Sequence, residues 1–230
     1  MGYVWDQLRG AIPLIVHGDP YIMGLLWVTI RVALVSTGAA LVVGLPIGLA
    51  LGLGRFRGRR TLQILANASL ALPSVVVGIG VLLFLLPQGA FGSLRIEFTL
   101  TAVYIAQAIL ALPFIVALTP AAIQGLPPGL LDQARALGAG RIQLGVFAAV
   151  IAALGATIAE VGAVIIVGGN FQGSDETLAS ALLEQFNYTA HDPYATAIAL
   201  VLLALILFLI GTLTVIQQRT GAVQFRFRTA

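Results

Sequence analysis

Apolar residues in this chain form five long runs that are separated by short polar stretches. Each run reaches the roughly 20 residues that a helix needs to cross a hydrocarbon core about 30 Å thick. We therefore predict an all-α, polytopic membrane bundle with about five transmembrane helices. The predicted spans are residues 25–53, 61–86, 99–123, 144–167 and 194–216.

The stretches between the runs complete a single transmembrane domain that covers residues 1–230. Residues 1–20 are too short and too broken by polar groups to span, so we predict an interfacial helix that ends near His17. Residues 87–98 are predicted as an external loop. Residues 170–192 are either a plain solvated loop or an outer surface that faces a partner protein.

Composition places most of the chain in lipid. It is 59% hydrophobic and only 9% charged, with a mean hydropathy of +1.02, whereas a soluble domain is nearer 25% charged. There is no cysteine, which excludes thiol catalysis and thiolate metal sites. The two histidines, His17 and His191, are too few and too distant in sequence to indicate a metal site. We expect membrane lipid as the surroundings and no nucleic-acid partner.

The arginines predict the topology. All 12 basic residues are arginine, and arginines accumulate in cytoplasmic loops. The run at 54–60 alone holds four of them, which predicts a cytoplasmic loop there, an external N-terminus and a cytoplasmic tail at 217–230. Nine of the twelve then lie on one side of the membrane, at positions 55, 57, 59, 60, 135, 141, 219, 226 and 228.

Glu160 is the only acidic residue inside a predicted span. On a continuous helix it would lie about 12 Å from Gly168, too deep for an ionised carboxylate to face lipid. It is either a group beside a translocation path or a polar link between helices. In the second case its partner would be a backbone group, Gln107 or Arg31.

Residues 130–141 form a polar, helix-prone segment between two apolar runs, with Pro127 and Pro128 suited to a first helical turn. The pattern alone also fits a solvated loop helix. The residues Asp132, Gln133, Ala134 and Gly138, followed by Arg141, resemble the Glu-Ala-Ala-(three residues)-Gly loop of ABC-importer permeases, with Gln133 departing from the first Ala. The resemblance implies a type I permease fold and a cytoplasmic coupling helix within residues 125–143 that docks on an ATPase.

A second segment resembles one branch of that family. Residues 159–164 read Ala-Glu-Val-Gly-Ala-Val, and residues 167–170 read Val-Gly-Gly-Asn. This pattern resembles the molybdate, sulfate and tungstate permeases. The ending at 167–170 and the arginines after the first span are most similar to the tungstate type.

The resemblance implies a homodimeric permease in the cell inner membrane that imports a tetrahedral oxyanion, tungstate first and molybdate or sulfate next. A separate nucleotide-binding subunit would bind ATP and Mg²⁺, so this chain needs no cofactor and is not itself an enzyme. It has no phosphate-binding Gly-x-x-x-x-Gly-Lys-Ser/Thr motif. An extracytoplasmic binding protein would deliver the oxyanion.

Four residues are candidates for the path or gate, although each also has a structural interpretation. Glu160 is the first. Thr157 and Ser74 could donate hydroxyl hydrogen bonds to an oxyanion, or bond their own helix backbone. Arg31 could attract an anion at the outer mouth, or extend towards the membrane surface.

Two other functional classes remain open on the residues alone. One is a secondary transporter or channel that works without ATP and uses Glu160 as a proton site. The other is a membrane scaffold without transport activity.

Overall fold

The fold is a bundle of α-helices, seen in a computed structural model that describes residues 2–124, 140–188 and 193–226. A 3₁₀ turn at Gly92–Leu94 precedes the fifth helix, and these ranges contain no strand. The helices are α1 (Gly2–Val16), α2 (Pro20–Leu53), α3 (Arg59–Ser69), α4 (Ser74–Leu85), α5 (Leu100–Gln124), α6 (Gly140–Ile158), α7 (Gly162–Gly168), α8 (Leu178–Tyr188) and α9 (Pro193–Arg226).

Three described helices are long and apolar enough to cross a membrane, and the number rises to five if each of two bent pairs is one span. The single helices are α2, α5 and the Pro193–Ile216 part of α9. The bent pairs are α3 with α4, at 101°, and the Ala148–Ile158 part of α6 with α7, at 61°. The predicted all-α membrane bundle is confirmed.

The spans predicted over residues 61–86 and 144–167 each consist of two helices, because the chain breaks near the middle of both. The first break ends at Pro73, which lies in extended backbone directly before α4 and has no N–H to continue a helix. The second break covers residues 159–161. There the carboxylate of Glu160 accepts a bond from the N–H of Ala163, which replaces a helical backbone partner.

Two other predicted elements also differ in the structure. The region 170–192, predicted either as a plain solvated loop or as an outer surface that faces a partner protein, contains helix α8. The tail predicted from residue 217 onwards begins as helix, because α9 continues to Arg226. The predicted N-terminal helix is present as α1, and its Ala11 packs in a buried cluster with α8 and α9.

Helix α5 is the centre of the bundle and packs most extensively against α2. Three glycines of α2 spaced four residues apart, Gly44, Gly48 and Gly52, bring the two backbones together. A Cβ atom at Gly48 would lie only 2.8 Å from the Cβ of Thr119 and 3.2 Å from the carbonyl oxygen of Ile115. The close approach of α2 and α5 therefore requires glycine there.

Most of the predicted coupling segment cannot be compared with the structure. Residues 132–138 lie outside the described residues, and Arg141 lies in the first turn of α6.

Replacing Gly48 with alanine should separate α2 from α5 and destabilise the fold by about 1–3 kcal/mol, the usual range for overpacking. The matched control is Gly38→Ala on the same helix, where an added Cβ meets nothing within 4 Å. Thermal unfolding of the purified protein in detergent should show a lower midpoint for Gly48→Ala alone. Equal midpoints for the two variants would contradict this packing.

Candidate functional site

The two helix breaks meet, so that the first residues of α4 and α7 lie side by side. A Cβ atom built on Gly162 would lie 2.8 Å from Cγ2 of Val75 and 3.1 Å from Oγ of Ser74. One turn further, a Cβ on Gly78 would lie 2.9 Å from Cα of Ala163. The two helices therefore start at the same level and run in parallel, held together by glycines on both sides.

Glu160 lies at this junction and is half-buried. Its Oε1 accepts a hydrogen bond of 3.2 Å from the N–H of Ala163 in the first turn of α7. Of the three partners considered for this carboxylate, the structure shows the backbone one. Gln107 is fully buried, and its amide oxygen and nitrogen have no hydrogen-bond partner among the described residues.

Thr157 lies one turn before the break but faces α2. It is buried, and its hydroxyl is 2.9 Å from each of the carbonyl oxygens of Ala153 and Leu154. Its oxygen is also 3.4 Å from the hydroxyl oxygen of Thr37. These contacts link α6 to α2 in the bundle interior.

Arg31 lies apart from the junction on the exposed surface of α2. It is eleven residues after Pro20, which corresponds to roughly 17 Å along the helix. Its guanidinium carbon is 6.0 Å from the ring centroid of Tyr104, whose buried hydroxyl has no described partner. The structure therefore brings Ser74 and Glu160 together, whereas Thr157 and Arg31 occupy separate places.

A second polar cluster lies where α2, α8 and α9 begin. The side chain of Asp19 caps α2 by accepting from the N–H groups of Tyr21 and Ile22, and it also accepts from the hydroxyl of Tyr194 at 3.0 Å. The hydroxyl of Tyr21 donates to Oε1 of Glu176 at 2.9 Å. This clasp (Asp19, Tyr21, Glu176 and Tyr194) joins the start of α2 to the starts of α8 and α9.

Asp175, next to the clasp, and Glu176, which belongs to it, are both buried. Asp175 accepts from the N–H groups of Asn170 and Phe171 at 2.9 and 3.1 Å, and Gly168 leaves room for its carboxylate. Burial raises the pKa of Asp175, against those hydrogen bonds, and it raises the pKa of Glu176, with Glu184 and Asp175 adding to the effect. No group of three or more His, Cys, Asp or Glu residues in the described ranges could hold a metal ion.

The clasp was not predicted from the sequence, although some helix-start patterns around it were recognisable. Asp19 followed by Pro20 is a strong helix-start pattern, and Thr177 with Ser180 has the spacing of a cap. The burial of Asp175 and Glu176 left no such signal, because a solvated loop has the same composition.

A family model matches residues 44–222, which is most of the chain, and its description is binding-protein-dependent transport system inner membrane component. The chain belongs to this family. The matched region includes both helix breaks and the predicted coupling residues.

Individual relatives show which members of the family this chain resembles. The chain is 30% identical over 213 residues to the tungstate uptake system permease protein TupB of Peptoclostridium acidaminophilum, covering 88% of this chain and 93% of TupB. It is 36% identical over 167 residues to a probable anion ABC transporter permease of Haloferax volcanii, covering 68% and 72%. The predicted resemblance to tungstate-type permeases is confirmed.

A solved structure of the MetNI methionine ABC transporter, in an inward-facing conformation, shares the fold. The TM-score is 0.66, with 18% identity over 87% of this chain and 96% of that chain. The fold is thus that of an ABC transporter permease.

Replacing Glu160 with glutamine should preserve this permease, because an amide oxygen can still accept the N–H of Ala163. Glu160→Leu leaves that N–H without its partner and should cost about 1 kcal/mol, the usual cost of losing a helix cap. Thermal unfolding in detergent measures both variants. Equal destabilisation by glutamine and leucine would show that the negative charge, not the cap, matters.

Glu176 should make stability fall as pH rises. Its raised pKa means that the folded state holds the proton more tightly than the unfolded chain, so its contribution is complete below its ordinary value of about 4.5 and is lost as pH rises through the raised pKa. Between pH 4.5 and the raised pKa, the unfolding midpoint of Glu176→Gln should therefore fall less steeply than that of the wild type. Tyr21→Phe removes a hydrogen bond that lowers this pKa and should steepen the fall, and unchanged slopes in both variants would contradict the effect.

Proposed function

We propose that this chain is the permease subunit of an ATP-driven importer of a tetrahedral oxyanion, with tungstate as the first substrate and molybdate or sulfate next. The family match over residues 44–222 carries the proposal. The relatives named for tungstate and for an anion favour this substrate class. Molybdate stands next to tungstate, because the two are dianions of nearly the same shape.

The transporter would be a homodimer that pairs with two copies of a nucleotide-binding subunit. That subunit would bind ATP and Mg²⁺, and this chain would contribute the coupling segment that docks on it. The coupling residues are Asp132, Gln133, Ala134, Gly138 and Arg141. An extracytoplasmic binding protein would deliver the anion to the outer face, where the exposed residues of 170–188 would lie.

Arginine distribution supports a topology with the N-terminus outside and the C-terminus in the cytoplasm. In this topology the clasp is external. Helix α3 starts at the cytoplasmic surface, directly after the arginine-rich loop at 54–60. The coupling segment then follows the cytoplasmic end of α5.

The path or gate would lie at the junction of the two helix breaks. Interrupted helices are tolerated at membrane depth only where protein or a water-filled cavity satisfies the freed backbone groups, and transporters use such interruptions at their substrate sites. Ser74 offers a hydroxyl donor there. Glu160 would repel a dianion, so its role is to cap α7 and to hold the gate in shape.

Arg31 would act earlier in the path, as a positive charge that attracts the anion. It makes no ion pair with a carboxylate of the described residues, so its charge is not neutralised locally. Thr157 would hold α6 against α2 and would not contact the anion, since its hydroxyl already has backbone partners.

Reconstitution tests the function directly. The permease, its ATPase and the binding protein are combined in proteoliposomes, and ATP hydrolysis is measured with tungstate, molybdate or sulfate. We expect stimulation by these oxyanions and uptake only with ATP. Uptake without an ATPase, with a pH dependence removed by Glu160→Gln, would instead support the secondary transporter.

Replacing Gly138 with tryptophan should uncouple the ATPase, because a bulky side chain in the coupling loop blocks docking. We expect oxyanion-stimulated ATP hydrolysis to fall at least about tenfold, which corresponds to about 1.4 kcal/mol. Leu62→Trp on the exposed surface of α3 is the control and should retain coupling. Retained coupling in Gly138→Trp would exclude this loop as the docking site.

A further inference from the structure

Helix α3 has no buried residue and exposes apolar side chains as well as polar ones. Leu62, Ile64 and Leu65 are each about half exposed, at 48%, 58% and 56%. Gln63 and Asn67, four residues apart on one face, instead line a pocket against α5. This arrangement suits a helix whose outer face contacts lipid and whose inner face contacts a polar space.

The pocket has a volume of about 90 Å³ and is partly open. This is room for several water molecules, and therefore for a small ion that displaces them. Its lining consists of Gln63, Asn67, Val116, Ala117, Pro120, Ala121 and Gln124.

Its polar groups are neutral hydrogen-bonding groups, and most of them are carboxamides. Gln63, Asn67 and Gln124 each carry an amide. Pro120 has no N–H, so the carbonyl of Val116, four residues earlier, lacks its usual helical donor. No lining residue is charged.

A cationic side chain lies beside the pocket. Arg59 donates from Nε to the carbonyl oxygen of Leu51 at 2.6 Å, and Gln63 donates from Nε2 to that same oxygen at 3.1 Å. A guanidinium therefore lies next to the pocket wall. Between residues 20 and 124 the only acidic residue is Glu97, which lies before the opposite end of α5.

We propose that the pocket between α3 and α5 is a contact site for the tetrahedral oxyanion at the cytoplasmic end of the transport path, with Asn67 and Gln124 donating amide hydrogen bonds to it. The inference rests on the proposed function. Neutral amide donors beside one guanidinium bind an anion weakly enough to release it. Gln124 is also the last residue of α5 before the coupling segment, so movement of that segment would change the pocket.

The decisive variant is Asn67→Asp, which keeps the size of the side chain and adds a negative charge. A carboxylate facing a dianion should lower ATP-dependent uptake of tungstate at least about tenfold, because the two negative charges repel each other. Gln88→Glu in the external loop is the matched control for adding one acidic group. Uptake is measured in proteoliposomes of the complete transporter.

A second pair of variants removes the amides without adding charge. Asn67→Leu and Gln124→Leu should each lower tungstate uptake several-fold, with the ATPase still bound in the complex. Thr61→Leu, an exposed position on α3 outside the pocket lining, should leave uptake unchanged. Asn67→Gln, which restores an amide, should recover most of the uptake.

The outcomes separate this inference from the proposed function. If the wild-type transporter takes up none of tungstate, molybdate and sulfate with ATP, the proposed function fails. If wild type transports normally and Asn67→Asp matches Gln88→Glu, the pocket contacts no anion and this inference alone fails. A loss of uptake in Asn67→Asp that accompanies loss of the ATPase from the complex would also overturn it.

Discussion

The constraint on which this structure depends is that every backbone N–H and C=O group inside hydrocarbon needs a partner. The long helices α2, α5 and α9 meet it internally, except at the carbonyls that Pro46, Pro113 and Pro120 leave without a helical donor. At the breaks, short turn hydrogen bonds over residues 70–72 and the carboxylate of Glu160 meet it instead. Arg59 and Gln63 do the same for the last carbonyls of α2. Several of the few polar side chains therefore lie where helices end.

The run lengths of apolar residues were enough to predict the all-α membrane bundle and the bounds of α2 and α5 to within a few residues. They could not predict the breaks. Pro46, Pro113 and Pro120 lie inside continuous helices, whereas Pro73 lies at a 101° bend. Proline thus permits a bend without requiring one, and the neighbouring helices decide. The break at Glu160 has no proline at all.

The family was predictable because polar residues are rare in such a chain, so a short motif stands out against an apolar background. Individual contacts were not predictable, since they depend on which helices become neighbours. Gln107 and Arg31 were plausible partners of Glu160 in sequence, yet the backbone of Ala163 is the partner in the structure. Glu176 resembles a loop residue in sequence and is nevertheless buried under Tyr21.

The clasp restrains the ends of three helices. Asp19 and Glu176 tie the first long helix to the starts of the last two helices, so these three helix ends resist separation. Any bending of the bundle must then occur elsewhere. In the described residues, two sharp breaks interrupt apolar runs, and these two breaks meet at Gly162. Opening and closing would bend the molecule in its middle, while the tethered helix ends serve as the fixed pivot.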